Sequence, residues 1–442
     1  MKIAVIGSGV SGNAAAWALS KTHDVTVFEK RNRIGGHSAT VTIDHHGKSI
    51  AVDTGFIVYN ELNYPLLVKL FEHLKVPVKS SAMTFSVSLD NGKLEWCGSK
   101  LKGIFAQPWN LFSISFLSML REILRFNSLA RRDLDSGALC GLTLNEYLQK
   151  SAFSNRLKND YLVPMTSAIW STPSRKMLEF PAESLIRFMK NHALIQKKRP
   201  DWKTVDGGSR NYVERLVRDS NARYRLATEV TCLRRTPHGV ELHLADGGIE
   251  HFDEVVLATH SDQSLKMIGD ASPDERSILG TIKYVTNDVW LHCDPALMPK
   301  RKNAWASWNY LGAMSAEDNR DVSVTYWMNK LQGIDPSHPV FVTLNPLLEP
   351  RQDKTFGRYA YAHPLFNHDA IAAQEKLPRI QGKNRVWFCG AWTGFGFHED
   401  GLASGLEVAR QLGGIIPWED NHEERKTAGV PISEIPMVEA AE

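Results

Sequence analysis

The stretch "KIAVIGSGVSGNAAAWAL", residues 2 to 19, constrains this chain more than any other. It opens with a nearly continuous apolar run, the pattern of a parallel strand buried on both faces. A helix is predicted from about Val10, and the turn between holds Gly7, Gly9 and Gly12 in G-x-G-x-x-G spacing. In such a turn the first glycine makes the tight bend, the second lets backbone approach a pyrophosphate, and the third lets helix pack against strand. The helix N-terminus adds unpaired N–H groups and about half a positive charge. A glycine triplet alone is weak, but a second strand-like run, "DVTVFEK", ends in Glu29, 17 positions beyond Gly12. A carboxylate there accepts hydrogen bonds from a ribose, so a dinucleotide is the expected ligand.

Directly after Glu29, "KRNRIGGHSAT" supplies the doublet Gly35-Gly36, with Arg33, His37 and Ser38 in reach of anionic oxygens. A plain glycine turn would read the same way. Far along the chain, "NRVWFCGAWTGFGFHEDGLASGLEVARQL" (384 to 412) repeats the strand, glycine turn and helix plan. Gly390, Gly394, Gly396 and Gly401 form its loop, and Asp400 or Ser404 is placed to cap a helix with Leu402, Leu406, Val408, Ala409 and Leu412 on its apolar face. A mononucleotide fold needs no second helix. A flavin does, because its reduced N1–C2=O region becomes negative and a helix N-terminus stabilises that charge. The expected cofactor is therefore FAD.

These segments, with "EVTCLRR", "DEVVLATH" and "FCGAWTG…GLASG", resemble the flavin amine oxidase superfamily, which includes monoamine oxidases, protoporphyrinogen oxidase and phytoene desaturases. "AIWSTP", "FPAESLIRFMKNH", "TVDGGSRNYV" and "AWASWNY" resemble a bacterial branch of FAD-dependent oxidoreductases, related to a dehydrogenase of methyl-branched fatty-acyl chains in furan fatty acid formation. The resemblance implies that Gly7, Gly9 and Gly12 hold the pyrophosphate, Glu29 the adenosine ribose, and Arg33, Gly36 and His37 the phosphate and ribityl side. It places Val230 at the adenine edge, Gly390, Asp400 and Gly401 beside the ribityl chain and isoalloxazine, and Gly55 and Phe56 of "DTGF" on the ring. Two departures stand out. The family often has Arg where this chain has His37, and the S-G-G-C motif of covalent attachment is absent, so FAD is expected to be held non-covalently.

The expected fold class is α/β: a discontinuous Rossmann-like FAD-binding domain with a second α+β substrate domain. The first would draw on residues 1–60, 205–265 and 383–416, the second on 61–204 and 266–382, with 417–442 a flexible tail. A length of 442 residues fits two domains. The net charge of +3 is too slight for a polyanion-binding field, which argues against nucleic acid as a partner. Five scattered cysteines indicate neither a disulfide framework nor a metal site and fit a reducing cytoplasm. The most apolar stretch, 104–120, is interrupted by Gln107, Pro108 and Asn110 and falls short of a membrane span. Its helical periodicity from Phe112 onward fits a buried helix. With Trp109 beside it and Arg121, Arg125, Arg131 and Arg132 following, it also fits a lipid tunnel or peripheral contact with the inner membrane face.

An apolar or lipid substrate, dehydrogenated by hydride transfer to flavin N5, is the favoured function. An amine oxidase and a flavin-binding protein without turnover are the rivals. Amine oxidases of the superfamily place a lysine near N5; aligning "IKYVTNDVWLH" puts Asn287 there, or Lys283 in a shifted register. His398 or Glu399 is the best-placed base for a C–H oxidation. Phe397 or His398 stands at the aromatic-cage position. Trp305, Trp308, Tyr310, Tyr326 and Trp327 form an aromatic pair of strands, suited to a core or to the floor of an apolar pocket.

Overall fold

The computed structural model describes residues 1–170, 177–191, 194–195, 200–314 and 320–419. The segment 171–173 of "AIWSTP" and residues 420–442 of the expected tail lie outside them. Trp418 does not belong to a tail: it stacks on Trp17 with ring centroids 5.6 Å apart.

Strand Lys2–Ile6 lies at the centre of a five-stranded sheet in the order Arg223–Arg225, Asp24–Phe28, Lys2–Ile6, Glu254–Leu257, Val386–Phe388. Every pairing is parallel. The strands arrive from three separated stretches of chain. The inner strands are apolar on both faces because both are covered, one by helices and the other by an antiparallel sheet of Val230–Thr236, Gly239–Leu244 and Ile249–Phe252. Helix Val10–Leu19 is one cover, and helix His398–Gln411 packs directly on it. This contact needs small residues. A Cβ on Gly401 would meet Val10 Cγ1 at 2.7 Å, and one on Gly405 would meet the Ser11 carbonyl at 2.2 Å.

A seven-stranded sheet builds the other half, in the order Thr355–Leu365, Lys283–His292, Phe341–Leu344, Arg320–Trp327, Trp308–Met314, Phe85–Leu89, Leu94–Cys97. Its members come from two segments inserted between parallel strands, one between Phe28 and Arg223 and one between Leu257 and Val386, so the two sheets are tied by several crossings. The helix expected from Phe112 begins at Ile114 and runs to Asp135, after a three-ten turn at Pro108–Phe112. Ser113 separates them as the N-cap, accepting from Phe116 N. Among the described residues, no helix is long and apolar enough to cross a membrane.

Candidate active site

The glycine turn follows the logic of its spacing. Gly7 has φ +101°, and a Cβ on Gly12 would come within 2.0 Å of the Gly7 carbonyl oxygen. Gly9 is different: nothing lies within 4 Å of its notional Cβ, so its face is open to an approaching group. Gly9 is also the N-cap of helix Val10–Leu19, supplies no side-chain cap, and is followed by no acid in the first turn. These conditions favour an anion. Glu29 is buried, accepts from Ser8 N at 3.1 Å, Ser8 Oγ at 2.7 Å and Arg31 N at 2.9 Å, and lines the same cavity as Gly9. The doublet folds back onto the turn. Gly36 has φ +57° with Gly9 Cα 2.9 Å from its notional Cβ, and Arg33 donates to the Gly36 carbonyl at 2.7 Å.

This cavity measures about 1220 Å³, above the usual span of a pocket for one small ligand. It runs from Gly7, Gly9, Glu29, Arg33 and Val230 past Gly36, His37, Gly55, Phe56 and Gly390 to Trp308, Tyr326 and Leu344 on the antiparallel sheet. The "DTGF" segment is held against it by Asp53, whose carboxylate accepts from Thr40 Oγ1 at 2.6 Å, Ser209 N at 2.9 Å and Gln332 Nε2 at 2.8 Å. Thr54 and Tyr361 hydroxyls meet at 2.8 Å. Trp308 and Tyr326, rings 5.0 Å apart, floor the far end, while Tyr310 is core.

Four histidines surround the middle: His37, His260, His363 and His398. Burial lowers all four, His363 to about 4 and His398 to about 3, so they are neutral near pH 7. His37 Nε2 is buried without a hydrogen-bond partner among the described residues. His398 stacks on Phe56 at 3.9 Å and shares a 2.5 Å hydrogen bond with the Tyr212 hydroxyl. Its position fits the expectation that it lines the site, but its low basicity makes it a poor proton acceptor.

Four expected residues sit elsewhere. Glu399 does not line the cavity; its two carboxylate oxygens accept from Leu66 N at 2.7 Å and Leu67 N at 3.0 Å, capping helix Pro65–His73. Asp400 turns back to Phe395 N at 3.0 Å and Phe397 N at 2.8 Å. Gly401 serves the helix contact described above instead of facing the cavity. Asn287 is fully buried behind His363, to which it hydrogen-bonds, and so does not occupy the facing position of the amine oxidase lysine. Lys283 is engaged with the Gly280 carbonyl. Conversely, Tyr361 and His363 line the cavity, though no motif in the sequence marks them as site residues. The alternation of "YAYAHPL" along one strand is the signal that puts both on one face.

The fold and site together define an α/β protein whose parallel sheet carries a Rossmann-like glycine turn, with a second sheet enclosing a long cavity. The sequence profile described as "Flavin containing amine oxidoreductase" matches residues 10–302, and the chain belongs to this family. Solved structures with the same fold include a CLA-producing fatty acid isomerase from P. acnes, with TM-score 0.63, 16% identity and coverage of 93% of this chain and 98% of that one. Cyclohexylamine oxidase from Brevibacterium oxydans IH-35A gives TM-score 0.63 and 15% identity, covering 93% and 99%. A 4,4'-diapophytoene desaturase (4,4'-diaponeurosporene-forming) of Staphylococcus aureus (strain Newman) is 62% identical over 37 residues. That match covers 8% of this chain and only 7% of the desaturase.

Proposed function

We propose that this chain holds FAD non-covalently along the cavity and dehydrogenates an apolar substrate, a fatty-acyl chain being the favoured class. Bound FAD would supply at N5 the acceptor for a hydride leaving one substrate C–H bond, the proton of the adjacent carbon passing to water and the reduced flavin's electrons to oxygen or another acceptor. The turn at Gly7, Gly9 and Gly12 and the end of helix Val10–Leu19 bind the diphosphate, and Glu29 orients the ribose. His37, with its unsatisfied Nε2, and His363 present polar atoms to the middle of the cavity. Non-covalent attachment is supported by the setting of Cys389, which is buried in the core and whose thiol is pushed up by burial, away from the reactive thiolate.

The observation that carries the substrate class is the far end of the cavity. Met83, Phe85, Trp96, Met165, Trp308 and Leu344 line it, and the histidines nearby are neutral. Among the described residues there is no carboxylate at that end; the acids of the lining, Glu29, Glu229 and Asp262, belong to the dinucleotide-binding half. An ammonium group entering it would lose its hydration without a counter-charge, whereas an acyl chain loses nothing.

Anaerobic titration of the flavin absorbance with acyl chains and with a panel of amines tests this, alongside mass spectrometry of lipid extracted from the purified protein. Bleaching by acyl substrates is the expected result. Bleaching by amines alone, with peroxide on readmission of air, would replace the reading by an amine oxidase. Chemically reduced flavin that no acceptor reoxidises would replace it by a flavin-binding protein without turnover.

A further inference from the structure

The three-ten turn Pro108–Phe112 is inside out. Its polar residue is buried and its apolar ones face water: Asn110 is 5% exposed, while Trp109, Leu111 and Phe112 are 55%, 51% and 83% exposed. The inversion is enforced from beneath by Gln107, itself buried. Its Oε1 accepts from Glu95 N at 2.9 Å, and its Nε2 donates to the Gly92 and Lys93 carbonyls at 3.0 and 3.1 Å. Asn110 Nδ2 donates to the same Gln107 oxygen at 3.3 Å. The apolar display is therefore held in place by a polar foundation.

Helix Ile114–Asp135 continues the display. Phe116, Met119, Phe126 and Ala130 form its buried face. On the opposite face Ile114, Leu117 and Leu124 are 85%, 40% and 72% exposed, at spacings of three and seven that align them in one stripe. Six of the thirteen exposed large hydrophobic residues among those described thus fall between 109 and 124. Exposed apolar residues on an ordinary surface are scattered singly; a concentration of this kind marks an interaction site.

Charge identifies the partner. Residues 100–125 contain Lys100, Lys102, Arg121 and Arg125 against the single acid Glu122, a net +3 that equals the net charge of the entire chain. Glu122 is engaged with Ser154 N at 3.0 Å. A second copy docking the same face about a two-fold axis would bring these like charges together. An anionic lipid surface satisfies both halves of the pattern, apolar side chains entering the acyl boundary and cations meeting phosphates. The inner side of this element also backs the cavity: Phe116 lies 6.3 Å, ring to ring, from Trp96, which lines the cavity's apolar end. We propose that the face formed by Trp109, Leu111, Phe112, Ile114 and the surrounding lysines and arginines docks on an anionic lipid bilayer, at the end of the molecule where the apolar part of the cavity lies.

The test is co-sedimentation of the full-length, flavin-loaded protein with vesicles of phosphatidylcholine, with and without phosphatidylglycerol. It reads binding without turnover, so it is independent of which substrate is oxidised. The protein should pellet with phosphatidylglycerol vesicles and be released by salt. The double variant Phe112→Ser/Ile114→Ser, whose side chains project into solvent, should keep the melting temperature and bind at least tenfold more weakly. Arg121→Glu should weaken binding about fivefold or more. Failure to pellet with the anionic vesicles, or equal pelleting of the double variant, would overturn the proposal. So would a dimer in sedimentation velocity that the double variant dissociates, because the occupant would then be a second copy.

Discussion

Asn287 donates from Nδ2 to His363 Nδ1 across 2.8 Å, and this bond fixes which imidazole nitrogen carries the proton. The direction is set by backbone. The Asp288 N–H donates to Asn345 Oδ1 at 2.9 Å, so Asn345 Nδ2 is the atom that donates to Asn287 Oδ1 at 2.7 Å. Asn287 is then left with its NH2 toward His363, whose Nδ1 must accept. A neutral imidazole accepting at Nδ1 carries its hydrogen on Nε2, making His363 a hydrogen-bond donor on the cavity wall.

Asn287→Leu should release that tautomer. Loss of an oriented donor predicts a fall of about 100-fold in the rate of flavin reduction by substrate. Asn287→Asp should act differently, since a carboxylate raises the pKa of His363 from about 4 and introduces a new ionisation into the rate profile. Nitrogen-15 spectra of labelled histidine check the tautomer directly, and an unchanged pattern in Asn287→Leu would refute the relay.

Gly9 and Gly12 should separate ligand binding from folding. A methyl at Gly9 meets only open space, so Gly9→Ala is expected to fold with an unchanged melting temperature and to purify with little flavin. A methyl at Gly12 collides with the Gly7 carbonyl, and Gly12→Ala should be destabilised by about 1–3 kcal/mol even without cofactor. Thermal melts of the apo forms, with flavin content read by absorbance, distinguish the two.

Glu399 makes stability depend on pH with a definite sign. Burial raises its carboxyl from 4.5 to about 7, so the folded chain holds a proton that the unfolded chain has released between those values. Stability contributed by this group therefore falls as pH rises from about 4.5 to 7. Glu399→Gln removes the ionisation, and the stability of wild type relative to this variant should decline across that window and be level outside it. Denaturant titrations at a series of pH values give the curve; a flat difference would show that Glu399 stays ionised at its post on Leu66 and Leu67.

Acid precipitation of the holoprotein should leave a colourless pellet and intact FAD in the supernatant. Yellow retained in the pellet, located by peptide mapping at Cys389 or another cysteine, would contradict non-covalent attachment.

The glycine turn, Glu29 and the second glycine-rich bend were legible in the sequence because each rests on constraints within a few residues: tight φ values, close backbone approach, apolar runs bounded by glycine. The parallel sheet confirms the α/β class by the same local signals, its strands reading as short buried runs. Other roles were not legible. Asn287 is walled off from the cavity because pairing Lys283–His292 with Thr355–Leu365 sets it opposite Tyr361 and within hydrogen-bond reach of His363, two cavity-lining side chains on the same face that cover it, a choice of register between distant strands. Glu399 looked like a base in a glycine-rich loop, yet its partners are the Leu66 and Leu67 amides, more than 330 positions away in sequence.

By itself, then, the sequence determined that a strand, a glycine bend and a helix must form a tight turn with an open helix N-terminus, since backbone sterics act between neighbours. Only the tertiary structure decided which histidines line the cavity, which carboxylates serve as caps, and that Trp109, Leu111, Phe112, Ile114, Leu117 and Leu124 lie outside instead of within. Those outcomes depend on partners brought together by sheet register and helix packing, and on a single buried glutamine, Gln107, whose hydrogen bonds turn its neighbours outward.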